Sequence, residues 1–172
     1  MKKLYLDCDG VILDTINRSY QLFKQLNITE DSDRQKYYEE TDWDELILLS
    51  GEINNSISKI KLLMNYFDVK ILTHVHSSKE EESKIKYFKN VLPEVEVIAV
   101  PKSIEKADMI NPKDSILVDD YYPNLIKWEE KGGIPVKFSD SGKNYDCIVI
   151  TDLLDLIELK FDNKMVKVKE WR

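Results

Sequence analysis

The sequence has 172 residues, of which 42% are hydrophobic and 33% are charged. This length and composition predict one globular domain with enough apolar side chains for a core and room for a small insertion. The net charge of −7 argues against binding to nucleic acid through a broad basic surface.

The sequence carries no signal for export or membrane insertion. The N-terminus lacks the sustained apolar segment of a signal peptide, and no stretch of roughly 18 apolar residues is present for a transmembrane helix. The cysteines, Cys8 and Cys147, do not form the pattern of a disulfide framework. We therefore expect a cytoplasmic protein without a membrane partner.

The first part of the chain predicts one strand followed by a long helical segment. The apolar run 4–6 is typical of a buried strand, and Thr15 suits the N-cap of a helix over 16–26. Residues 27–45 are polar, charged and aromatic, whereas apolar residues recur at helical spacing over 53–67. The next strand is predicted at 69–75 and is expected to end at Thr73, so residues 16–66 form an insertion.

The second part of the chain predicts alternating helices and strands. A helix over 78–91 is expected to bury Ile85 and Phe88. Further strands are predicted at 95–100, 115–120, 134–138 and 146–150, with helices at 125–133 and 152–160 and a final strand at 164–171. Such alternation is typical of an α/β protein, a parallel sheet with helices on both faces. We expect a core of residues 1–15 and 67–172 and a small helical cap of residues 16–66.

Polar side chains follow four of the predicted strands. In chain order they are Asp7, Asp9, Thr73, Lys102, Lys106, Asp119 and Asp120. In a parallel sheet these positions meet at one edge, where active sites lie. Four carboxylates there need compensating charge, which Mg²⁺ and a lysine would supply. One carboxylate could then attack phosphorus while a second transfers the proton of the leaving group.

The ordered set "DCDG", "ILTH", a lysine and "LVDD" resembles the haloacid dehalogenase (HAD) superfamily of phosphohydrolases over about residues 3–138. The resemblance implies the Rossmann-like HAD fold, with Asp7 as nucleophile and Asp9 as general acid/base. It also implies a Mg²⁺ ion held by Asp7, the backbone carbonyl of Asp9 and the pair Asp119 and Asp120. Gly10 suits the sharp turn that follows the first strand.

Two longer stretches, "PKSIEKAD" and "DDYYPNLIKWEEKGGIPVKF", are similar to the 5'-nucleotidase (5'(3')-deoxyribonucleotidase) branch of this superfamily in bacteria and phages. This likeness implies a small phosphate ester as partner, namely a nucleoside monophosphate. The segment "MINPKDS" departs from the pattern, because it lengthens the link between the lysines and strand four. Either lysine could therefore hold the phosphate, and we favour Lys102 over Lys106 because it follows strand three directly.

Substrate contacts are expected from His74, Gly10 and the insertion. Trp43, with Tyr37 and Tyr38, could stack on a planar base, although aromatic residues in a small cap also form its own core. His76 lacks further metal-ligating neighbours in sequence and is expected to be a loop residue.

Other functions remain open on sequence grounds. A receiver-type signalling module also gathers acids, a threonine and a lysine. In a receiver, however, an acidic pair at strand one is followed by the phosphorylated aspartate on a later strand, then the threonine, then the lysine, whereas here the second acidic pair comes last. A receiver also has no place for the insertion after strand one. A HAD phosphatase acting on another small ester, or a non-hydrolytic module that accepts or binds phosphate, shares the same residues. The sequence does not fix the oligomeric state.

Overall fold

The computed structural model describes residues 1–159 and 161. These residues form six strands and eight helices. In chain order they are β1 (Lys2–Leu6), α1 (Thr15–Leu26), α2 (Asp31–Glu40), α3 (Trp43–Ser50), α4 (Ser56–Leu63), β2 (Phe67–Val75), α5 (Ser78–Val91), β3 (Glu96–Pro101), α6 (Lys106–Met109), β4 (Ile116–Asp119), α7 (Tyr122–Glu130), β5 (Ile134–Phe138), β6 (Ile148–Ile150) and α8 (Asp155–Glu158). The final strand predicted at 164–171 lies outside the described residues.

The six strands form one parallel sheet with the order β3-β2-β1-β4-β5-β6. β1 lies between β2 and β4, so that Leu6 is opposite Ile71 on one side and Val118 on the other. The chain segments that leave β1, β2 and β4 therefore begin side by side at the carboxyl edge of the sheet.

Helices cover both faces of the sheet. The side chains along β1 point alternately to the two faces, and both faces are apolar. Leu4 and Leu6 belong to a buried cluster that includes apolar residues of α3, α4, α5 and α8. Tyr5 points to the opposite side and belongs to a second cluster with residues of α6 and α7. Successive strand residues thus bury opposite faces, as the pleat requires. The predicted α/β architecture is confirmed.

Four helices lie between β1 and β2, where the insertion was predicted. Ile60 and Leu63 of α4 and Trp43 of α3 are buried in the same cluster as the central strand. In contrast, α2 has no buried residue, which is why no apolar periodicity predicted it. The insertion thus contributes directly to the core, and its limits as a separate cap, 16–66, stay a prediction.

Several local predictions differ from the structure. Asp14 occupies the N-cap position of α1, and Thr15 is already its first helical residue. β2 extends past Thr73 to Val75, because its ladder with β3 continues. On α5 the prediction for Phe88 is right, but Ile85 is 39% exposed and Lys84 is buried instead. Within the described residues, no helix combines the length and apolarity needed to cross a membrane.

Candidate active site

Three charged side chains from different elements meet at the carboxyl edge of the sheet. Asp7 directly follows β1, and its amide donates to the carbonyl of Val118 at 2.9 Å, which keeps it beside β4. Lys106, the first residue of α6, places its Nζ 2.7 Å from Asp7 Oδ1 and 2.7 Å from Asp119 Oδ2. All three side chains are almost completely buried. One ammonium therefore bridges two carboxylates that belong to neighbouring strands.

Asp119 is further fixed by neutral donors. Its Oδ1 accepts the amide of Tyr121 at 2.8 Å, and its Oδ2 also accepts Asn124 Nδ2 at 2.9 Å. Among the described residues, no donor binds the carboxylate of Asp120, whose backbone carbonyl accepts from Lys137. Asp120 therefore has free carboxylate oxygens at the same edge.

Gly10 allows the loop between β1 and α1 to approach Asp120 closely. Its φ of +81° lies in the left-handed region, and a Cβ at this position would collide with the carboxylate of Asp120. The loop after β1 can therefore pass directly over Asp120 only with glycine at this position.

The carboxylates at this edge fit a hard divalent cation. Asp7, Asp119 and Asp120 each offer an oxygen, and these oxygens lie within 4.8 Å of one another. Carboxylate oxygens are the donors that Mg²⁺ prefers. Lys106, together with Lys137 beside Asp120, supplies two positive charges against the three negative charges of the ionised carboxylates. The ionised cluster therefore has an excess of negative charge that a cation would neutralise.

The protonation equilibrium of Asp7 reflects that excess. Burial raises the pKa of Asp7 well above its usual range, and the charges of Asp119 and Asp120 raise it further, whereas Lys106 lowers it. Two carboxylates likewise hold the pKa of Lys106 above its usual value, in spite of the opposing effect of burial. A carboxylate that acts as a nucleophile must be ionised, so this site calls for additional positive charge.

The carboxylate of Asp9 is held apart from this cluster. Its Oδ1 accepts from the Thr15 hydroxyl at 2.6 Å and its Oδ2 from Lys84 Nζ at 2.5 Å. Burial acts to raise the pKa of Asp9, but the charge and hydrogen bond of Lys84 outweigh it, so the pKa lies below its usual value. Asp7 and Asp9 thus lie in different electrostatic surroundings although they are two residues apart.

Thr73 and His74 lie on β2 beside the aspartates. Thr73 is fully buried, and its Oγ1 accepts from Lys84 Nζ at 3.0 Å. His74 Nε2 lies 2.9 Å from the carbonyl of Ile104. Burial lowers the pKa of His74, which favours the neutral imidazole.

The two lysines predicted after β3 are placed differently. Lys106 is buried between Asp7 and Asp119, whereas the side chain of Lys102 is exposed at the rim of the cavity described next. The structure therefore favours Lys106 as the lysine of the site, the reverse of the sequence-based preference. The physical reason is the loop 102–105. This loop keeps Lys102 away from the carboxyl edge of the sheet, and α6 begins after it with the side chain of Lys106 directed toward Asp7 and Asp119.

A cavity of about 320 Å³ opens above these groups. It is bordered by the site itself and by residues from α1, α2 and α3. Tyr20 lines it with half of its surface exposed, whereas Trp43, which also borders it, is 3% exposed. Tyr38 stacks on Trp43 with a centroid distance of 5.9 Å, and the indole Nε1 donates to the Tyr38 carbonyl at 2.8 Å. Trp43 is thus packed in protein, and a stacking role for it stays a prediction.

Comparison with solved structures agrees with this topology. A HAD phosphatase from Thermococcus onnurineus superposes with a TM-score of 0.64 over 92% of this chain and 97% of its own, at 16% identity. A magnesium-bound protein from Bacillus subtilis, assigned to the HAD-hydrolases, gives 0.63 over 91% and 97%, at 14% identity. The chain has the HAD fold. No family model and no curated protein matches the sequence.

A third structure with the HAD fold was solved with ligands. D,D-heptose 1,7-bisphosphate phosphatase from B. bronchiseptica, complexed with magnesium and phosphate, gives a TM-score of 0.59 over 92% of this chain and 97% of its own, at 14% identity. At such identities the comparison establishes the fold, and the chemistry must be argued from the side chains described above.

Sequence reasoning missed three polar residues of this HAD-fold site. Thr15 was predicted as a helix cap, and neither Asn124 nor Lys84 was singled out. For Lys84 a signal existed, because Glu80, Lys84 and Phe88 recur at i, i+4 and share one face of α5. The spacing places Lys84 on the same face as the predicted buried Phe88, but the burial of its ammonium also requires its distant partner Asp9.

Proposed function

We propose that this protein is a magnesium-dependent phosphatase that works through an aspartyl-phosphate on Asp7. The observation that carries the proposal is the buried cluster of Asp7, Asp119 and Asp120 with Lys106, next to a second aspartate held separately from it. Asp7 and Asp9 have different surroundings, but in the metal-free protein the pKa of Asp7 lies above its usual range and that of Asp9 below it. The proposed roles therefore require Mg²⁺ to favour the ionised form of Asp7, and Asp9 to take up a proton in spite of its ion pair with Lys84.

The proposed residues would divide the work as follows. Asp7, Asp119 and Asp120, with the backbone carbonyl of Asp9, would hold Mg²⁺, which supplies charge neutralisation at the carboxylates and at the phosphoryl oxygens. Asp120 is the stronger candidate for a direct ligand, since the hydrogen bonds at Asp119 already engage both of its oxygens. Lys106, which lines the cavity, would stabilise phosphoryl oxygens. Thr73 is fully buried, is not among the described residues that line the cavity, and donates its hydroxyl to the His74 carbonyl at 3.2 Å, so its role as a phosphoryl contact stays a sequence-based prediction.

The proposed reaction has two steps. In the first, an Asp7 oxygen attacks phosphorus, the bond from phosphorus to the ester oxygen breaks, and Asp9 donates its proton to that oxygen. In the second, water attacks the same phosphorus, gives a proton to Asp9, and the bond to Asp7 breaks. The products are an alcohol, inorganic phosphate and an unchanged enzyme.

For the substrate we propose a small phosphate monoester and, more specifically, a nucleoside monophosphate. Support comes from the cavity of about 320 Å³, at the lower end of the range of small-molecule pockets. The tyrosines Tyr20, Tyr38 and Tyr121 border it and offer apolar rings. The similarity of the two sequence stretches to 5'-nucleotidases points the same way.

The experiment is a substrate panel. Purified protein is incubated with 4-nitrophenyl phosphate, nucleoside 5'-monophosphates and sugar phosphates, with Mg²⁺ or with excess EDTA, and released phosphate is measured. We expect Mg²⁺-dependent release, fastest with a nucleotide. Equal release in EDTA would contradict the metal-dependent mechanism, and faster release from sugar phosphates would contradict the nucleotide proposal alone.

A further inference from the structure

A second buried cation lies behind the candidate site. Lys84, in the middle of α5, has no exposed side-chain surface, and the ring of Trp43 lies 5.0 Å from its Nζ. A buried ammonium is costly unless it is paired. Lys84 is paired twice, with Asp9 Oδ2 at 2.5 Å and with Glu80 Oε1 at 2.6 Å. The mechanism described above assigns no task to this ion pair.

Lys84 reaches two residues of the proposed chemistry without reaching the substrate cavity. Its Nζ contacts Asp9 Oδ2 in the loop after β1 and Thr73 Oγ1 on β2. Asp9 and Lys106 line the cavity, but Lys84 is not among the described residues that line it. An action of Lys84 on the reaction must therefore pass through the side chains that it holds.

We propose that Lys84 is the positioning residue for the acid/base Asp9. This inference rests on the proposed function. Thr15 and Lys84 hold one oxygen each of the Asp9 carboxylate, and each oxygen keeps a second lone pair for proton transfer. Lys84 fixes the plane of the carboxylate toward the cavity, so that the leaving oxygen and, later, the attacking water meet it in the required orientation.

The position of Lys84 is itself fixed from the other side. Glu80 is fully buried, and its second oxygen accepts from the His76 backbone amide at 2.7 Å and lies 2.9 Å from His76 Nδ1. The contacts Asp9 to Lys84, Lys84 to Glu80 and Glu80 to His76 thus connect the loop after β1 with the start of α5 and the end of β2. Within the described part of the chain, no hydrogen bond or ion pair joins Glu80 to Asp9, and Lys84 pairs with both, so a substitution of Glu80 acts on Asp9 through Lys84.

The first experiment compares Lys84→Met with the matched control Lys86→Met. Lys86 lies on the same helix, but its side chain is 69% exposed and pairs with Asp44 at the surface. kcat/KM is measured with 4-nitrophenyl phosphate, whose leaving group departs without a proton, and with the alkyl phosphate of the panel that wild type hydrolyses fastest. We expect Lys84→Met to lower kcat/KM for the alkyl ester by about 10²-fold, the usual effect of a misplaced catalytic group, and for the aryl ester far less.

The same variant should release nitrophenolate in a burst. Asp9 must also take the proton of water in the second step, so the aspartyl-phosphate accumulates when Asp9 is misplaced. A loss of kcat/KM that is equal for both esters, or an unchanged kcat/KM for the alkyl ester, would overturn the positioning role of Lys84. Lys86→Met should behave as wild type with both esters.

A second measurement separates positioning from general loss of structure. In an Asp9→Asn background, Lys84→Met should lower kcat/KM by no more than about twofold further, because the interaction through which it acts is already gone. An additional loss as large as that of the single variant would overturn the proposal. Circular dichroism and thermal denaturation verify that each variant is folded. If Lys84→Met does not fold, the comparison of kcat/KM for the aryl and alkyl esters is made with Glu80→Gln, which preserves the size of the Glu80 side chain.

Wild type provides the reference that keeps the two proposals apart. A wild-type protein that hydrolyses no ester of the panel contradicts the proposed function and with it the role of Lys84. An active wild type in which Lys84→Met loses activity independently of the leaving group contradicts the role of Lys84 alone.

Discussion

Asp7 and Asp9 are two residues apart but have different partners, and their substitutions should have different consequences. Asp7→Asn should abolish turnover, because an amide does not attack phosphorus at a useful rate. Asp9→Asn should lower kcat by about 10²–10⁴-fold, the range of general acid–base catalysis, and should retain Mg²⁺ binding through its backbone carbonyl. Steady-state assays and Mg²⁺ titration test both. Wild-type turnover in Asp7→Asn would show that the nucleophile is another residue.

The two lysines after β3 provide a matched pair. Lys106 is 1% exposed between Asp7 and Asp119, whereas Lys102 is exposed at the rim of the cavity. Lys106→Met should lower kcat by about 10²–10³-fold, as loss of a preorganised electrostatic contact does. Lys102→Met should change kcat little and stability by less than about 0.5 kcal/mol. Measurement of kcat for both variants at saturating Mg²⁺ tests this expectation. A larger loss of kcat in Lys102→Met than in Lys106→Met would support the sequence-based preference for Lys102.

The site could be predicted from sequence only as far as residues adjacent to strands. Asp7 and Asp119 are at strand ends, so a parallel sheet places them at one edge, and the pairing of β1 with β4 then brings them together. Lys106 comes five residues after β3, and its direction depends on how the loop 102–105 folds, which no local pattern encodes. The burial of Lys84 depends on the match between one helix face and a carboxylate 75 positions earlier in the chain.

At the level of elements, the loop between β1 and α1 depends on glycine for two separate reasons. Gly10 has a φ of +81°, and an added Cβ would also collide with Asp120. Gly142 has a similar φ of +69°, but a Cβ added to Gly142 would have no neighbouring atom of the described residues within 4 Å. Gly142→Ala should therefore cost only the backbone strain of about 1–2 kcal/mol, whereas Gly10→Ala should cost more and also weaken Mg²⁺ binding. Thermal denaturation with and without Mg²⁺ measures both effects, and equal costs would show that the collision is relieved.

Helix α3 carries the residue for which sequence suggested substrate stacking. Trp43 is 3% exposed and packs against Tyr38 and Lys84. Trp43→Ala should destabilise the protein by about 3–5 kcal/mol and lower Tm by roughly 6–20 °C. Tyr20→Ala removes a half-exposed ring of the cavity and should raise KM for nucleotides with little change in Tm. A normal Tm in Trp43→Ala with a raised KM would support stacking on Trp43 instead.

Elements with strong apolar patterns were predictable, and those formed by polar sequence were not. β5 was predicted with its observed limits, Ile134–Phe138, and α5 likewise, Ser78–Val91. α2 escaped prediction, because none of its residues is buried and its helical conformation leaves no apolar period in the sequence. The wrong prediction for Ile85 arose because apolar character was taken to decide the buried face, whereas the ion pair of Lys84 decided it.

In the whole molecule, strand order concentrates charge. Because β1 lies between β2 and β4, the segments that carry Asp7, Thr73 and Asp119 emerge next to one another. The sequence predicted a shared edge, but the order of the strands comes from pairing between distant segments. The result is a buried cluster with more carboxylates than ammonium groups, so the stability of the whole fold should depend on pH and on Mg²⁺.

Asp120 allows a test of this dependence in the metal-free protein. Burial, and then the charge of Asp119, raises the pKa of Asp120 to about 7, above its value of about 3.9 in an unfolded chain. A group with a raised pKa stabilises the fold fully below the unfolded pKa, and this contribution is lost as the pH rises through the folded pKa. In excess EDTA, the stability of wild type relative to Asp120→Asn should therefore fall between about pH 4 and pH 7. Thermal or urea denaturation of both proteins measures the difference, and a difference that stays constant or rises would contradict the assigned surroundings of Asp120.

Mg²⁺ should reverse that loss, because metal binding requires deprotonated ligands. At a Mg²⁺ concentration about 100 times the dissociation constant, the fold should gain about 2.7 kcal/mol. The gain should be larger at about pH 8 than at about pH 5, where Asp120 holds its proton and competes with the metal. Asp120→Asn should show a smaller gain at both pH values, and Asp140→Asn, an exposed acid in the loop after β5, should behave as wild type. An equal Mg²⁺ effect in wild type and Asp120→Asn would remove Asp120 from the metal site, since a ligand cannot be lost without cost to the ion that it holds.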